Sequence, residues 1–153
     1  MVVMKMILLP IVSLAILASA AEAAGDIPGP VAAEVERVID DDTVRVSAKI
    51  WVDQRISTAV RIYGVDAPEL FRPQCEAERA AARQAKSFVE AIIGAGVMLR
   101  DISHYKYGGR VVARLETTGG IDIGAALLDA GLAVEIGAGD PWCERSVLKS
   151  AHG

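Results

Sequence analysis

The sequence has little of the histidine and cysteine chemistry on which zinc enzymes and serine hydrolases depend. Its histidines are His104 and His152, and its cysteines are Cys75 and Cys143. No Cys-x-x-Cys or His-x-x-x-His spacing occurs, so a zinc site of the usual ligand pattern is not expected. The scarcity of histidine also argues against a histidine-centred hydrolase.

An excess of positive charge is also missing. The 153 residues include 16 Lys and Arg against 20 Asp and Glu, which gives a formal net charge of −4 at pH 7. A protein this acidic has no overall electrostatic attraction for a polyanion, so any affinity for nucleic acid has to be local. The length suits one domain with its own core and is short for two.

The apolar stretch near the N-terminus is too short for an ordinary membrane-spanning helix. It covers residues 6–20, follows a short basic start and leads into small residues. This layout predicts a signal peptide over 1–23, with cleavage after Ala20 or Ala23, since both satisfy the small-x-small rule. The alternative is an uncleaved anchor, which would need about 20 apolar residues and would have to accommodate Pro10. We therefore expect an exported protein, periplasmic or extracellular, with no membrane contact after cleavage.

The two cysteines have to be considered together with that expectation. An even number of cysteines in an oxidising compartment predicts one disulfide, between Cys75 and Cys143. Closing so long a loop would stabilise the fold by about 4 kcal/mol if the entropy of the unfolded chain decides the effect. Two unpaired buried thiols are the alternative.

The apolar pattern predicts short strands first and helices afterwards. We expect a flexible lead-in at 24–32, one domain over 33–145 and a tail at 146–153. Alternating or β-branched runs predict strands at 33–39, 44–50, 56–63, 97–102 and 111–115. Helical spacing predicts an amphipathic helix over 76–93, with Ala77 and Ala81 on its apolar stripe, and a short helix over 122–130. Without a βαβ repeat, this order predicts an α+β domain built on a small mixed or antiparallel barrel.

The second and third strands form a predicted hairpin whose register can be argued from their apolar faces. Matching those faces pairs Ile50 with Ile56 and sets Asp42 opposite Gly64. Asp66 then lies two residues further on, about 7 Å along the strand. A bend at Gly64 would bring the carboxylates of Asp42 and Asp66 to one cation.

The stretch 61–69 changes character in its middle. Its first half, from Arg61, is β-branched and aromatic like the end of a strand, whereas its second half, from Asp66 to Glu69, is an acidic turn that contains Pro68. Strand ends that lead into loops often hold reactive groups, and this one has a guanidinium at one end and two carboxylates at the other. The alternative is a turn whose acids cap a helix, with Asp66 as the cap.

Three segments of the chain resemble, in order and spacing, the signature segments of the staphylococcal nuclease (thermonuclease) family. They are 39–44, 61–69 and 106–110, and the resemblance runs from about 35 to 133. It implies a five-stranded OB-fold β-barrel with two or three packed α-helices. It also implies a calcium-dependent, sugar-nonspecific nuclease that hydrolyses DNA and RNA to 3′-phosphate products.

The same resemblance implies a set of metal ligands. Asp42 and Asp66 match the family's metal-binding carboxylates, and Ala67 stands where the family uses a backbone carbonyl. Hard oxygen ligands of this kind suit Ca²⁺, which is the expected cofactor.

The catalytic and substrate-binding residues are also implied by the resemblance. Glu69 matches the acid assigned to activating the attacking water, and Arg61 and Arg110 match the arginines that grip the phosphate. Lys106 and Tyr107 are the expected substrate contacts, although both would also suit an ordinary turn. Because a glycine is inserted before Arg110, that residue is aligned through the strand that follows it.

The chain departs from the family after residue 133, where many relatives carry basic and tyrosine residues. Here the stretch 134–140 contains Glu135 and Asp140 and has no aromatic ring. This departure leaves open a second hypothesis, a non-catalytic OB-fold binding module derived from a nuclease. For the enzyme we expect DNA and RNA as substrates, no stable protein partner and a monomer.

Overall fold

A computed structural model describes residues 25–106 and 108–143. Its elements, in chain order, are β1 (Val31–Val38), β2 (Thr43–Trp51), β3 (Gln54–Ile62), β4 (Val65–Asp66), α1 (Glu76–Ile92), β5 (Gly96–His104), β6 (Arg110–Thr117), α2 (Ile123–Asp129) and β7 (Val134–Glu135). The predicted signal peptide, Tyr107 and the predicted tail at 146–153 lie outside the described residues. No helix in the described part of the chain is long and apolar enough to cross a membrane.

The main sheet is a closed barrel with the strand order β1-β2-β3-β6-β5. Strands β3 and β6 run parallel, and the other neighbouring pairs run antiparallel. The two short strands β4 and β7 pair separately, beside the barrel. This architecture confirms the predicted α+β class with a five-stranded OB-fold barrel.

The barrel interior is filled by alternate residues of each strand. Val44, Val46, Val60 and Ile62 are at most 1% exposed and belong to one apolar core, which α1 and α2 also enter. Burying a side chain of this size stabilises a fold by about 1.5–3 kcal/mol, so the inward face of each strand is strongly specified. The residues between them, including Arg61, therefore point away from the core.

The first turn of α1 differs from its predicted amphipathic pattern. Ala82, Ala85 and Val89 are fully buried, whereas Ala77 and Ala81 are only half-buried. Glu78 is 3% exposed although it is charged. The apolar stripe therefore turns away from the helix start, where a carboxylate enters the interior instead.

The β2–β3 hairpin has a register two residues away from the predicted one, so that prediction was wrong. Ile56 pairs with Ala48 and not with Ile50. The turn is tighter than expected because Asp53 adopts a left-handed conformation, with φ of 57°, which aspartate tolerates better than most residues. Ile50 and Ile56 are 54% and 50% exposed, so they do not mark the core. A shift of two residues keeps every side chain on its predicted face.

The start of the described chain lies against the barrel. Ile27 exchanges two backbone hydrogen bonds with Ile102 of β5, of 2.8 and 2.9 Å. Asp101 N also donates to Pro28 O, at 3.0 Å. Strand β1 begins at Val31, two residues before its predicted start. The lead-in, which was expected to be flexible, is therefore hydrogen-bonded to β5 at Ile27 and Pro28.

Candidate active site

Arg61 joins the two carboxylates that the sequence suggests as metal ligands. Its Nη1 lies 2.6 Å from Asp42 Oδ2, and its Nη2 lies 3.2 Å from Asp66 Oδ1. The side chain of Asp42 is 8% exposed, that of Arg61 is 22% exposed and that of Asp66 is 50% exposed. The structure therefore brings together a buried acid, an outer acid and one guanidinium that connects them.

The hairpin register explains why Arg61 reaches Asp42. Thr43 is the direct cross-strand partner of Arg61, and Ile62 N donates a 2.8 Å hydrogen bond to Asp42 O. Asp42 therefore lies opposite Ile62, and the predicted position opposite Gly64 was wrong. The Thr43 hydroxyl also donates to Asp42 Oδ1, at 2.8 Å. Together these contacts place both carboxylate oxygens of Asp42 at the end of β2.

Three consecutive acids, Asp40 to Asp42, crowd this end of the barrel. Burial, followed by repulsion from Asp42, raises the pKa of Asp41 from 3.8 to about 8. Burial also raises the pKa of Asp42, to about 6, although the positive charge of Arg61 opposes the shift. Asp40 Oδ1 is buried and accepts no hydrogen bond from the residues that the structure describes. Burial and mutual repulsion therefore disfavour full ionisation of these neighbouring acids by the protein alone.

These residues line an open cleft of about 430 Å³. Its wall contains five carboxylates and three guanidinium groups: Asp40, Asp41, Asp42, Asp66 and Glu69 against Arg61, Arg72 and Arg110. Full ionisation would leave an excess of two negative charges, which the raised pKa values of Asp41 and Asp42 oppose. A divalent cation would balance that excess and would give buried Asp40 Oδ1 a partner, which it lacks among the described residues. The residues of this cleft therefore fit a hard divalent ion held by oxygen ligands.

Glu69 lies on the cleft wall at the start of a turn. Its Oε1 accepts hydrogen bonds from the backbone N–H of Phe71, at 2.8 Å, and of Arg72, at 3.3 Å. The alternative in which Asp66 caps a helix is wrong, because Asp66 lies in β4 and the N-cap of α1 is Cys75. Glu69 instead accepts the backbone N–H groups of its own turn. The residue is exposed, and its charge contributes to the raised pKa of Asp41, so it also acts on the acid cluster.

Glu78 supports that turn from inside the protein, a role that was not predicted from the sequence. Its Oε1 accepts the backbone N–H of Glu69 at 3.0 Å, and its Oε2 accepts the backbone N–H of Gln74. Both ends of the loop 69–74 are therefore attached to one buried carboxylate. A possible signal was its position in the first turn of α1, where an acid is favourable, but that position alone does not predict burial.

The remaining predicted site residues within the described chain are Arg110, Ala67 and Lys106. Arg110 is exposed at the start of β6, opposite Ala59 in the parallel pair, and lines the cleft with Arg61. Ala67 also lines the cleft. Lys106 is exposed and does not line the cleft wall. Their roles in catalysis, metal binding and substrate binding stay predictions.

A second acidic group contacts the loop 69–74. Glu78, Asp140 and Cys143 have potential ligand atoms within 4.8 Å of one another, the one such group of three in the described chain. Cys143 is in a disulfide, so it offers no thiolate. Asp140 accepts hydrogen bonds from Trp142 N and Gln74 Nε2. The potential ligand atoms of this group are therefore already engaged, in hydrogen bonds and in the disulfide.

The expected disulfide is present in the structure. It joins Cys75 to Cys143, with Cα atoms 5.8 Å apart. Cys75 is also the N-cap of α1, where its Sγ accepts from Glu78 N at 3.4 Å. The disulfide therefore fixes the segment after β7 to the helix end that carries Glu78.

Comparison with known proteins gives one family. Residues 59–148, more than half of the chain, match the family model described as staphylococcal nuclease homologue. The match includes Arg61, Asp66, Glu69 and Arg110, but it begins after β2 and therefore does not include Asp42. Asp42 belongs to the site because the fold places it against Arg61. No curated protein matches the chain.

Proposed function

This chain belongs to the staphylococcal nuclease homologue family, and from that premise we propose that it is a calcium-dependent nuclease. Its substrates would be DNA and RNA, and its products would carry 3′-phosphate ends. The Asp42–Arg61–Asp66 arrangement is the observation that carries the proposal. A module that only binds nucleic acid gains nothing from two carboxylates beside a polyanion, because they repel it.

The proposed metal site uses the carboxylates of Asp42 and Asp66 and the backbone carbonyl of Ala67. Asp40, whose charge raises the pKa of Asp42, would also be stabilised by a positive charge at this site. When bound, a calcium ion supplies charge neutralisation for the phosphodiester and for the incoming water. Carboxylate and carbonyl oxygens are the ligands that suit the irregular coordination of calcium.

Arg61 and Arg110 are proposed to bind the scissile phosphate. A guanidinium presents paired N–H donors that match two phosphate oxygens, and its charge offsets the charge that grows during water attack. Both arginines lie on the outer face of the β3–β6 pair, within one cleft. To bind a phosphate oxygen, Arg61 has to leave a carboxylate that the metal would then bind. Each ligand therefore favours the arrangement that the other needs, and we expect metal and substrate to bind cooperatively.

Glu69 is the proposed proton acceptor. As the water oxygen bonds to phosphorus, its proton passes to the Glu69 carboxylate, the bond from phosphorus to the 5′ oxygen breaks, and the departing 5′ oxygen takes a proton from solvent water to give a hydroxyl. Oε1 of Glu69 is held by two backbone N–H groups, and no hydrogen bond to its Oε2 is recorded among the described residues. The turn therefore orients a carboxylate that has a second oxygen available for chemistry.

Location and assembly are also proposals. We propose an exported protein, periplasmic or extracellular, that acts as a monomer without a stable protein partner. The Cys75–Cys143 disulfide supports an oxidising compartment, where such bonds persist. The apolar segment near the N-terminus supports export by the signal-peptide argument.

A nuclease assay with two variants tests the function. The purified protein should degrade single-stranded DNA and RNA in added calcium and stop when a chelator is added. Glu69→Gln should lower kcat by roughly a hundred-fold or more, because it removes the proton acceptor. Glu76→Gln is the matched control, since Glu76 is an exposed acid in the first turn of α1. Full turnover in chelator would reject the mechanism. Nucleic-acid binding without any turnover would favour the binding module.

A further inference from the structure

Phe71 is a large apolar residue that stands exposed in the wall of the candidate active site. It is 67% exposed, and it lines the same cleft as Arg61 and Arg110. A single exposed apolar side chain is ordinary on a protein surface. This one differs because it shares a polar, charged cleft with the phosphate-binding arginines.

The loop that carries Phe71 is held firmly at its backbone. Phe71 N donates to Glu69 Oε1 at 2.8 Å, and Glu69 N donates to the buried carboxylate of Glu78 at 3.0 Å. The same carboxylate accepts from Gln74 N at the other end of the loop. An exposed ring on a fixed backbone loses little conformational entropy when a planar ligand stacks on it.

The other aromatic ring of the cleft is already engaged. Tyr105 is half-buried, and its ring centroid lies 5.9 Å from the guanidinium carbon of Arg61. That contact places an aromatic ring beside one phosphate-binding cation. Of the aromatic residues that line the cleft within the described chain, Phe71 is therefore the one with most of its surface open.

On the basis of the proposed nuclease function, we propose that Phe71 is a base-stacking residue that makes unpaired nucleic acid the preferred substrate. A base next to the scissile phosphate stacks on the ring while Arg61 and Arg110 hold the phosphate. In a duplex each base is stacked and paired, so this contact would require unstacking. The stacked base also provides affinity that an acidic protein does not obtain from long-range charge.

Kinetics on defined oligonucleotides test the proposal. Phe71→Ala should raise KM for single-stranded DNA roughly ten-fold to a hundred-fold, the range expected for one lost stack, with kcat changed less than about two-fold. Phe71→Trp should restore the lower KM, whereas Phe71→Leu, which keeps apolar volume without a ring, should not. An oligonucleotide with abasic positions beside the cleavage site should bind wild type and Phe71→Ala equally. The preference for single over double strands should also shrink in Phe71→Ala.

Controls separate this inference from the proposed function. Trp51→Ala removes another exposed aromatic, 71% exposed at the tip of the β2–β3 hairpin, and should leave KM unchanged. Thermal unfolding checks that each variant is folded. Fluorescence anisotropy with labelled single-stranded DNA and calcium tests stacking even without turnover: Phe71→Ala should bind more weakly. If the wild type is inactive but its affinity for DNA depends on Phe71, the proposed nuclease function is wrong and the stacking role still holds. An active enzyme whose KM and affinity do not change in Phe71→Ala would overturn the stacking role alone.

Discussion

Replacing Glu78 by glutamine is expected to loosen the turn that carries Glu69. The carboxylate of Glu78 is buried, and each of its two oxygens accepts one backbone N–H, from Glu69 and from Gln74. A glutamine of the same shape offers one acceptor oxygen and one NH₂ group. One of the two backbone donors would therefore face another donor.

The magnitude follows from those two contacts. A hydrogen bond to a charged acceptor contributes about 1.5–3 kcal/mol, and an unsatisfied buried donor costs about 1–3 kcal/mol. Because the loop can partly relax, we expect Glu78→Gln to lower the free energy of unfolding by about 2–4 kcal/mol. The backbone N–H of Glu69 makes one of these two hydrogen bonds, so its loss should displace the Glu69 carboxylate. We expect kcat to fall roughly ten-fold to a hundred-fold as a result.

Urea unfolding and steady-state kinetics in saturating calcium measure the two effects. Glu76→Gln is the control, because Glu76 is in the same helical turn but its side chain is 72% exposed. It should change the free energy of unfolding by less than about 0.5 kcal/mol and leave kcat unchanged. If Glu78→Gln matches this control in both measurements, the buried carboxylate does not position the loop and the reasoning is wrong.

Three further changes test other contacts of the site. Arg61→Lys should lower kcat roughly a hundred-fold, because an ammonium lacks the planar fork that spans two acceptors. A variant that keeps more than half of the wild-type kcat would contradict the proposed phosphate-binding role of Arg61. In chelator, the free energy of unfolding should fall as pH rises from about 4 to 8, because Asp41 binds its proton more tightly in the folded state, where its pKa is about 8 against 3.8. Asp41→Asn should flatten this dependence, and an unchanged slope in urea titrations at several pH values would refute it. Replacing Cys75 and Cys143 together by serine should cost about 4 kcal/mol of stability, which unfolding of wild type with and without reductant measures independently.

Side-chain faces were easier to predict than strand pairing. Val44 and Val46 alternate with polar residues, so their inward direction follows from sequence alone, and the structure buries both. The register needed the turn at Asp53, whose left-handed conformation is a local choice that apolar matching does not reveal. The exposed Ile50 and Ile56 were misleading because apolar residues at a hairpin tip resemble those of a core strand.

The site residues divide in a similar way. The resemblance pointed to Asp42, Arg61 and Asp66, and the structure places all three in contact. It did not point to Glu78, because its role depends on two backbone N–H groups from a loop several residues earlier. A charged residue near a helix start is usually solvated, so only the packing around it shows that it is buried.

By itself, the sequence determined the class of the domain, the order of its five barrel strands and two helices, and the kinds of side chain at the cleft, because periodicity and turn residues act over short distances. Tertiary structure alone decided that Arg61 would bridge Asp42 and Asp66, and that one buried carboxylate would hold both ends of the loop 69–74. The reason is that these contacts join segments whose separation depends on strand register and barrel closure. Both of those are set by the packing of the whole core and by no single stretch of residues.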